Sequence, residues 1–222
     1  WPGFNVPVIP ASFRSESARR RAPVGRWGVL CHVAIWCILL PNACAQDQRP
    51  APPPRHVARE RTFHVIHYKL DLDIDLTART CSGDATIRLV PLRPQFDLGQ
   101  FDAAADMNIT GVRLGSQKVN FHRSGDSLLV DLDKPYGTGD TLDFRISYSV
   151  TSPKKGLYFI QPDSGYPEKH WQAWSQGEPE DNHNWFPCYD FPNDKSTSEM
   201  IVTVPDSLTA ISNGTLIDVR NN

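Results

Sequence analysis

A carboxamide and a carboxylate two residues apart, Gln176 and Glu178, stand directly before Pro179 at the end of an aromatic stretch. That stretch runs His170-Trp171-Gln172-Ala173-Trp174-Ser175-Gln176-Gly177-Glu178-Pro179. Read as a strand over 171–178, it puts Gln172, Trp174, Gln176 and Glu178 on one face, because successive strand side chains alternate between faces. Gln176 and Glu178 would then project together about 7 Å apart. Pro179, which has no N–H to give a ladder, would end the strand just behind them. An acceptor carboxylate beside an amide suits a cation that also donates hydrogen bonds. An ammonium there gains charge-assisted bonds that strengthen as water is excluded. On spacing alone, an ordinary surface carboxylate ahead of a turn accounts for Glu178 equally well.

The chemistry continues into Trp185-Phe186-Pro187-Cys188-Tyr189-Asp190-Phe191-Pro192, and three of the six tryptophans fall between positions 171 and 185. These tryptophans read as packing and interface residues rather than substrate-stacking ones. No metal site is expected in this chain. None of the seven histidines belongs to an H-E-x-x-H motif, and His64 and His67, three apart on an expected strand, should point to opposite faces. The ladder Asp71, Asp73, Asp75 has the composition of a calcium site but reads as the solvated face of a strand.

The elements that must position these residues are β. From Tyr68 the chain alternates: Tyr68, Leu70, Leu72, Ile74 and Leu76 on one face, Lys69, Asp71, Asp73 and Asp75 on the other. That period is a half-buried strand. Ser82-Gly83-Asp84 reads as a turn into a second strand with Ala85, Ile87 and Leu89 inward, ended by Pro91. Leu142, Phe144, Ile146, Tyr148 and Val150 repeat the pattern after the turn signal Gly137-Thr138-Gly139-Asp140. Shorter runs at Ile109–Leu114, Leu128–Leu132 and Met200–Val204 are bounded by Gly, Pro, Asn or Asp. With no 3.6-residue period anywhere, the expected fold is an all-β antiparallel sandwich or curved sheet over residues 62–222.

The charge is uneven along the chain. Residues 1–45 hold five of the 23 basic side chains and one of the 25 acidic ones, leaving residues 46–222 with 18 and 24, net −6. A mildly acidic folded part without a basic cluster excludes nucleic acid as the expected partner. Residues 1–45 read as a leader, though residues 1–18 need not be native: Arg19-Arg20-Arg21 and Arg26, an apolar run from Trp27 to Leu40, then Ala43-Cys44-Ala45 before Gln46. The run has 14 residues, short of the roughly 20 a spanning helix needs, so cleavage is expected and stable membrane insertion afterwards is not. An anchor through residues 27–40 is the alternative, and Pro41-Asn42-Ala43 makes Cys44 a poor lipoprotein cysteine. Residues 46–61, with Pro50, Pro52, Pro53 and Pro54, read as a linker. Of the cysteines beyond the leader, Cys81 and Cys188 are either one disulfide or, the plainer reading, two separate buried thiols. Trp1, the absence of methionine before Met107 and the bare Arg220-Asn221-Asn222 end read as cuts in a longer protein.

The order Ser175-Gln176-Gly177-Glu178-Pro179, a polar spacer, Phe186-Pro187-Cys188 and Asp190-x-Pro192 resembles the signature near the end of the N-terminal domain of aminopeptidase N-type zinc peptidases. Tyr68-x-Leu70-x-Leu72-x-Ile74-Asp75, Gly156-Leu157-Tyr158 and Ser212-Asn213-Gly214 are similar to companion segments of that family, and the resemblance covers residues 63–222. It implies a saddle-shaped β-domain whose edge closes one wall of an active site. By motif, Glu178 would take the free α-amino group of a peptide, and Gln176 would line the first specificity pocket. One zinc ion and its ligands would belong to the protein's own downstream catalytic domain, which is absent here, so this chain alone should be inactive. The chain departs from the family at Phe191, where a glutamate is frequent, and at His183 and Asn184, where an arginine is frequent. The rival expectations are a non-catalytic scaffold of the same family, decided by the downstream zinc motif, and an independent exported β-sandwich binding module, which should be monodisperse on its own.

The leader reading places the mature protein outside the cytoplasm, periplasmic or extracellular. N-terminal sequencing of the exported protein should begin at Gln46; recovery of residues 27–40 in the membrane pellet would establish the anchor instead.

Overall fold

The computed structural model describes residues 58–220, so the leader and most of the linker lie outside the described residues. The first half of the chain forms β1 (Phe63–Asp75), β2 (Thr80–Pro91), β3 (Phe96–Asp102), β4 (Asn108–Leu114), β5 (Gln117–Lys118) and β6 (Phe121–Ser124). Then come β7 (Ser127–Tyr136), β8 (Leu142–Thr151), β9 (Gly156–Ile160), β10 (Gln172–Gln176) and β11 (Thr197–Thr203), with one 3-10 turn at Asn182–Asn184 before β11. The fold is all-β, as the alternation requires.

Six strands in the order β11-β1-β2-β8-β4-β5 make one sheet, and β3-β7-β6 make a second. Registers such as Leu70 with Ala85, Ala85 with Ile146, and Ile87 with Phe144 line up the apolar face of the large sheet row by row. That face packs on Phe101, Leu128 and Val130 of the small sheet, all fully buried. Phe101 meets Phe144 edge-on across the interface, ring centroids 5.1 Å apart, the arrangement the aromatic quadrupole favours. The outer face is solvated and ion-paired: Arg88 with Asp143, Arg145 with Asp84, Lys69 with Glu199. The acidic ladder of β1 belongs to this face. Every pairing is antiparallel except one: β11 lies parallel to β1. The chain reaches β11 only after 177–196 has crossed the end of the sandwich, so it enters beside β1 running in the same direction.

Two local expectations are corrected. The turn between β1 and β2 is Leu76–Arg79, not Ser82-Gly83-Asp84, which lies inside β2. Gly83 is there because the neighbouring strand comes too close for a side chain. A Cβ at this position would stand 1.9 Å from the carbonyl oxygen of Asp71, and its φ is +150°. The second correction concerns the histidines. The register slips between Val65 and His67, leaving Ile66 as a bulge, so His64 pairs with Val90 and His67 with Arg88. Val90 and Arg88 share a face, and the extra residue therefore brings His64 and His67 to the same side. They bind neighbouring residues there, His64 Nδ1 at 2.6 Å from Asp194 and His67 Nδ1 at 2.7 Å from Thr197.

Cys81 and Cys188 are both free and buried, which settles their alternatives in favour of two separate thiols. Burial pushes the Cys81 thiol up to about 12. It pushes Cys188 well above the ordinary range, with the carboxylates of Asp190 and Asp102 adding to the effect. Neither is a nucleophile at neutral pH.

The close approach at Gly83 yields a stability prediction. Gly83→Ala should destabilise the fold by about 1–3 kcal/mol, the usual cost of overpacking. Gly111→Ala, where a Cβ meets no atom within 4 Å, should stay within about 0.5 kcal/mol. Urea midpoints of the two variants, compared with the parent, check the difference.

Candidate functional site

β9 and β10 form a two-stranded ribbon in which Ser175 lies opposite Leu157 and Gln176 opposite Gly156. One face of the ribbon, with Leu157, Phe159 and Ala173, packs on the core. The other carries Gln172, Trp174 and Gln176 together with Tyr158, so the expected common face of Gln172, Trp174 and Gln176 is present, turned to solvent. The strand itself stops at Gln176. Glu178 lies beyond it in the turn that follows, with a cis peptide to Pro179, so the pair is not presented as successive same-face residues of one ladder. The reason is non-local. The partner strand β9 begins at Gly156, and past Gln176 there is no neighbour to pair with. Both Gln176 and Glu178 are exposed.

The turn is built tightly onto the ribbon. Asp181 N donates to Gly177 O at 2.9 Å, and the amides of Trp185 and Phe186 both donate to Asn182 O. Gly156 makes room for this: at φ +79° its Cβ would stand 2.2 Å from Asp181 O and 2.7 Å from Trp185 Cδ1. Only glycine combines that conformation with that approach. Lys155 pairs with Asp181 at 3.2 Å, whereas Glu178 has no ion-pair partner among the described residues.

The second half of the signature does a different job: it is buried. Trp185, Phe186, Cys188, Tyr189 and Asp190 are each at most 9% exposed. Cys188 and Asp102, at the end of β3, exchange two backbone hydrogen bonds of 2.6 and 2.9 Å. The Asp102 carboxylate accepts from Asp190 N at 2.9 Å and from Arg59 Nη1 at 2.6 Å. Arg59 also lies 4.8 Å above the ring of Tyr189, and Tyr189 N donates to the Tyr68 hydroxyl of β1 at 2.9 Å. Asp190 in turn holds the 3-10 turn. Its Oδ2 accepts from His183 N at 3.0 Å and lies 2.6 Å from His183 Nδ1. His183 O accepts from Ala104 N at 2.8 Å, closing the loop back to the segment after β3. Thus the position where the family often has arginine is filled by a histidine that makes a carboxylate contact of its own.

Sequence reading missed Asp102, Arg59 and the His183–Asp190 pair as supports. The nearest signal was Asp190-x-Pro192 itself; Asp102 sits in a strand whose side chains do not alternate cleanly. Two clefts, of about 470 and 540 Å³, are bordered by Arg61, His64 and Asp194 and by Asp73, Asp75 and Trp171 respectively; neither is lined by Gln176 or Glu178. No group of three or more His, Cys, Asp or Glu among the described residues is placed to hold a metal ion.

A β-sandwich end that braces an exposed amide and carboxylate on buried aromatic and acidic residues defines a domain that presents polar groups at its edge. The profile of the Peptidase M1 N-terminal domain family matches residues 64–222, and the chain belongs to that family. Aminopeptidase B of Mus musculus is 28% identical over 175 residues, an alignment that covers 68% of this chain and 27% of that protein. The chain therefore spans about a quarter of that relative's length. The M1 zinc metallopeptidase of Deinococcus radiodurans superposes with a TM-score of 0.58 at 27% identity, covering 70% of this chain and 36% of the other. A variant of it bound to a Tyr-Ser-Ala substrate gives a TM-score of 0.57 at 26% identity, covering 70% and 35%.

Removing the buried Asp190 carboxylate tests how far it supports the turn. Asp190→Ala leaves the His183 amide and ring without their acceptor and should cost about 1.5–3 kcal/mol, the range for hydrogen bonds to a charged group. Amide exchange should accelerate over 181–186 more than in β1 or β8. Uniform acceleration across the sandwich would show that Asp190 supports the whole core and not this turn.

Proposed function

We propose that this chain is the substrate-anchoring domain of an exported aminopeptidase that releases single residues from peptide N-termini. The observation that carries it is the contrast among neighbouring acids. Asp181 and Asp190 are engaged by the fold, while Glu178 and Glu180 both stand exposed without a partner among the described residues; of these two, Glu178 is the one next to the end of β10 and Gln176, on a turn that is itself firmly braced. A free carboxylate held in place is suited to an ammonium.

In this reading Glu178 receives the α-amino group of the peptide and Gln176 donates or accepts at the first residue. An amine fixed at one point sets which carbonyl reaches the reacting centre, and so enforces removal of one residue at a time. The residues described here do not fit a zinc site. In this reading the zinc ion expected of an M1 peptidase would be held by a catalytic domain of the full-length protein. The Tyr-Ser-Ala complex of the Deinococcus relative supports a peptide as substrate. The same reading keeps the leader of residues 1–45 as the export signal.

Glu178→Ala in the full-length enzyme tests this. Losing a desolvated charge-assisted contact costs about 2–5 kcal/mol, so kcat/KM for peptides with a free amine should fall about 30- to several-thousand-fold. Zinc content should be unchanged. Gln176→Ala should cost less, because an amide carries no opposing charge. An N-acetylated peptide lacks the cation, and its poor turnover should not respond. Cleavage within about twofold of the parent would return Glu178 to the status of a surface carboxylate.

A further inference from the structure

The outward face of the β9–β10 ribbon carries an aromatic pair that the fold does not need for its core. Trp174 lies directly opposite Tyr158, and the two rings stack with centroids 4.6 Å apart and planes 23° from parallel. Trp174 is nevertheless 47% exposed. The hydrophobic work of the ribbon is done by its other face, through Leu157, Phe159 and Ala173. Stacking on Tyr158 occupies one side of the indole and leaves an aromatic surface open to solvent. Gln176 is two residues further along the same strand and on the same face, so the open ring lies about 7 Å back from the amide.

We infer that Trp174, backed by Tyr158, is a platform for a planar first side chain of the substrate, aromatic or guanidinium, and so determines which N-terminal residues are preferred. The inference rests on the amine-receiving role of Glu178. With the amine held past the end of β10, the first side chain can lie back along the strand over Trp174. Phenylalanine, tyrosine, tryptophan and arginine side chains extend farthest back toward the ring from an amine held there, and an alanine side chain does not extend toward it. Aromatic rings stack offset on the indole, and a guanidinium gains both stacking and cation–π attraction. Because the Trp174 indole already stacks on Tyr158, less of its freedom remains to be lost when the third plane arrives.

Trp174→Leu in the full-length enzyme tests this, since leucine keeps apolar bulk without a ring face. Aminoacyl substrates with Phe, Tyr or Arg first should lose about two- to tenfold in kcat/KM, the value of one aromatic contact. Those with Ala or Leu first should stay within about twofold, and Trp174→Phe should restore most of the lost preference. An equal loss on all substrates, or no change on any, would overturn the platform. Glu178→Ala on the same panel separates the two ideas: a failed clamp leaves every substrate unaffected by that variant, whereas a failed platform leaves the preference unaffected by Trp174→Leu.

Discussion

Asp102 holds the end of the sandwich to the segment that carries the exposed groups, and it does so with both its backbone and its side chain. The backbone exchanges two hydrogen bonds with Cys188, and the carboxylate accepts from the Asp190 amide and the Arg59 guanidinium. Its side chain is 16% exposed, so these bonds face little competition from water. A carboxylate so placed is stabilising only while its partners are present; removing one leaves a poorly hydrated charge. The segment from 59 to 61, the end of β3 and the signature 185–190 are therefore one unit. Asp194 repeats the device beside it, accepting from Arg61 and from Val65 N.

From that unit the order passes outward in steps. Asp190, fixed by Asp102, fixes His183; His183 is fixed again through Ala104. The 3-10 turn so held sits against Gly156, and Gly156 is the partner of Gln176. The exposed amide and carboxylate are thus the last members of a chain of buried contacts. An exposed side chain on a mobile loop would lose much of its binding energy to ordering; on this support less is lost.

What the sequence revealed follows the range of the forces involved. β1, β2 and β8 were legible because one face of each meets the core over its whole length, and burial writes a period of two into the residues. β3 was not, since Leu98 is exposed and Gly99 buried, a phase change that comes from the register slip between Phe96 and Leu98. Gly83 carried a turn composition while answering to a tertiary contact with Asp71. The His64–His67 relation depended on one bulged residue. At the site, the common face of Trp174 and Gln176 was legible from alternation. The position of Glu178 was not, because the length of β10 is set by where β9 begins. The support at Asp102 lies 88 residues from Asp190, a distance over which local pattern is silent.

The exposure of Glu178 and Gln176 also sets a condition on the proposed role. A carboxylate and an ammonium meeting in water gain about 0–1 kcal/mol, too little to select a peptide terminus. The several kcal/mol that selection requires arise only when the pair is desolvated. Nothing among the described residues covers the end of β10; Trp174, on the same face, is open as well. An amine clamp at this edge becomes effective when another surface closes over it and excludes water, and the braced turn supplies the geometry in advance of that closure. On this argument the domain contributes position, and the surface that covers it contributes the low dielectric in which position has value.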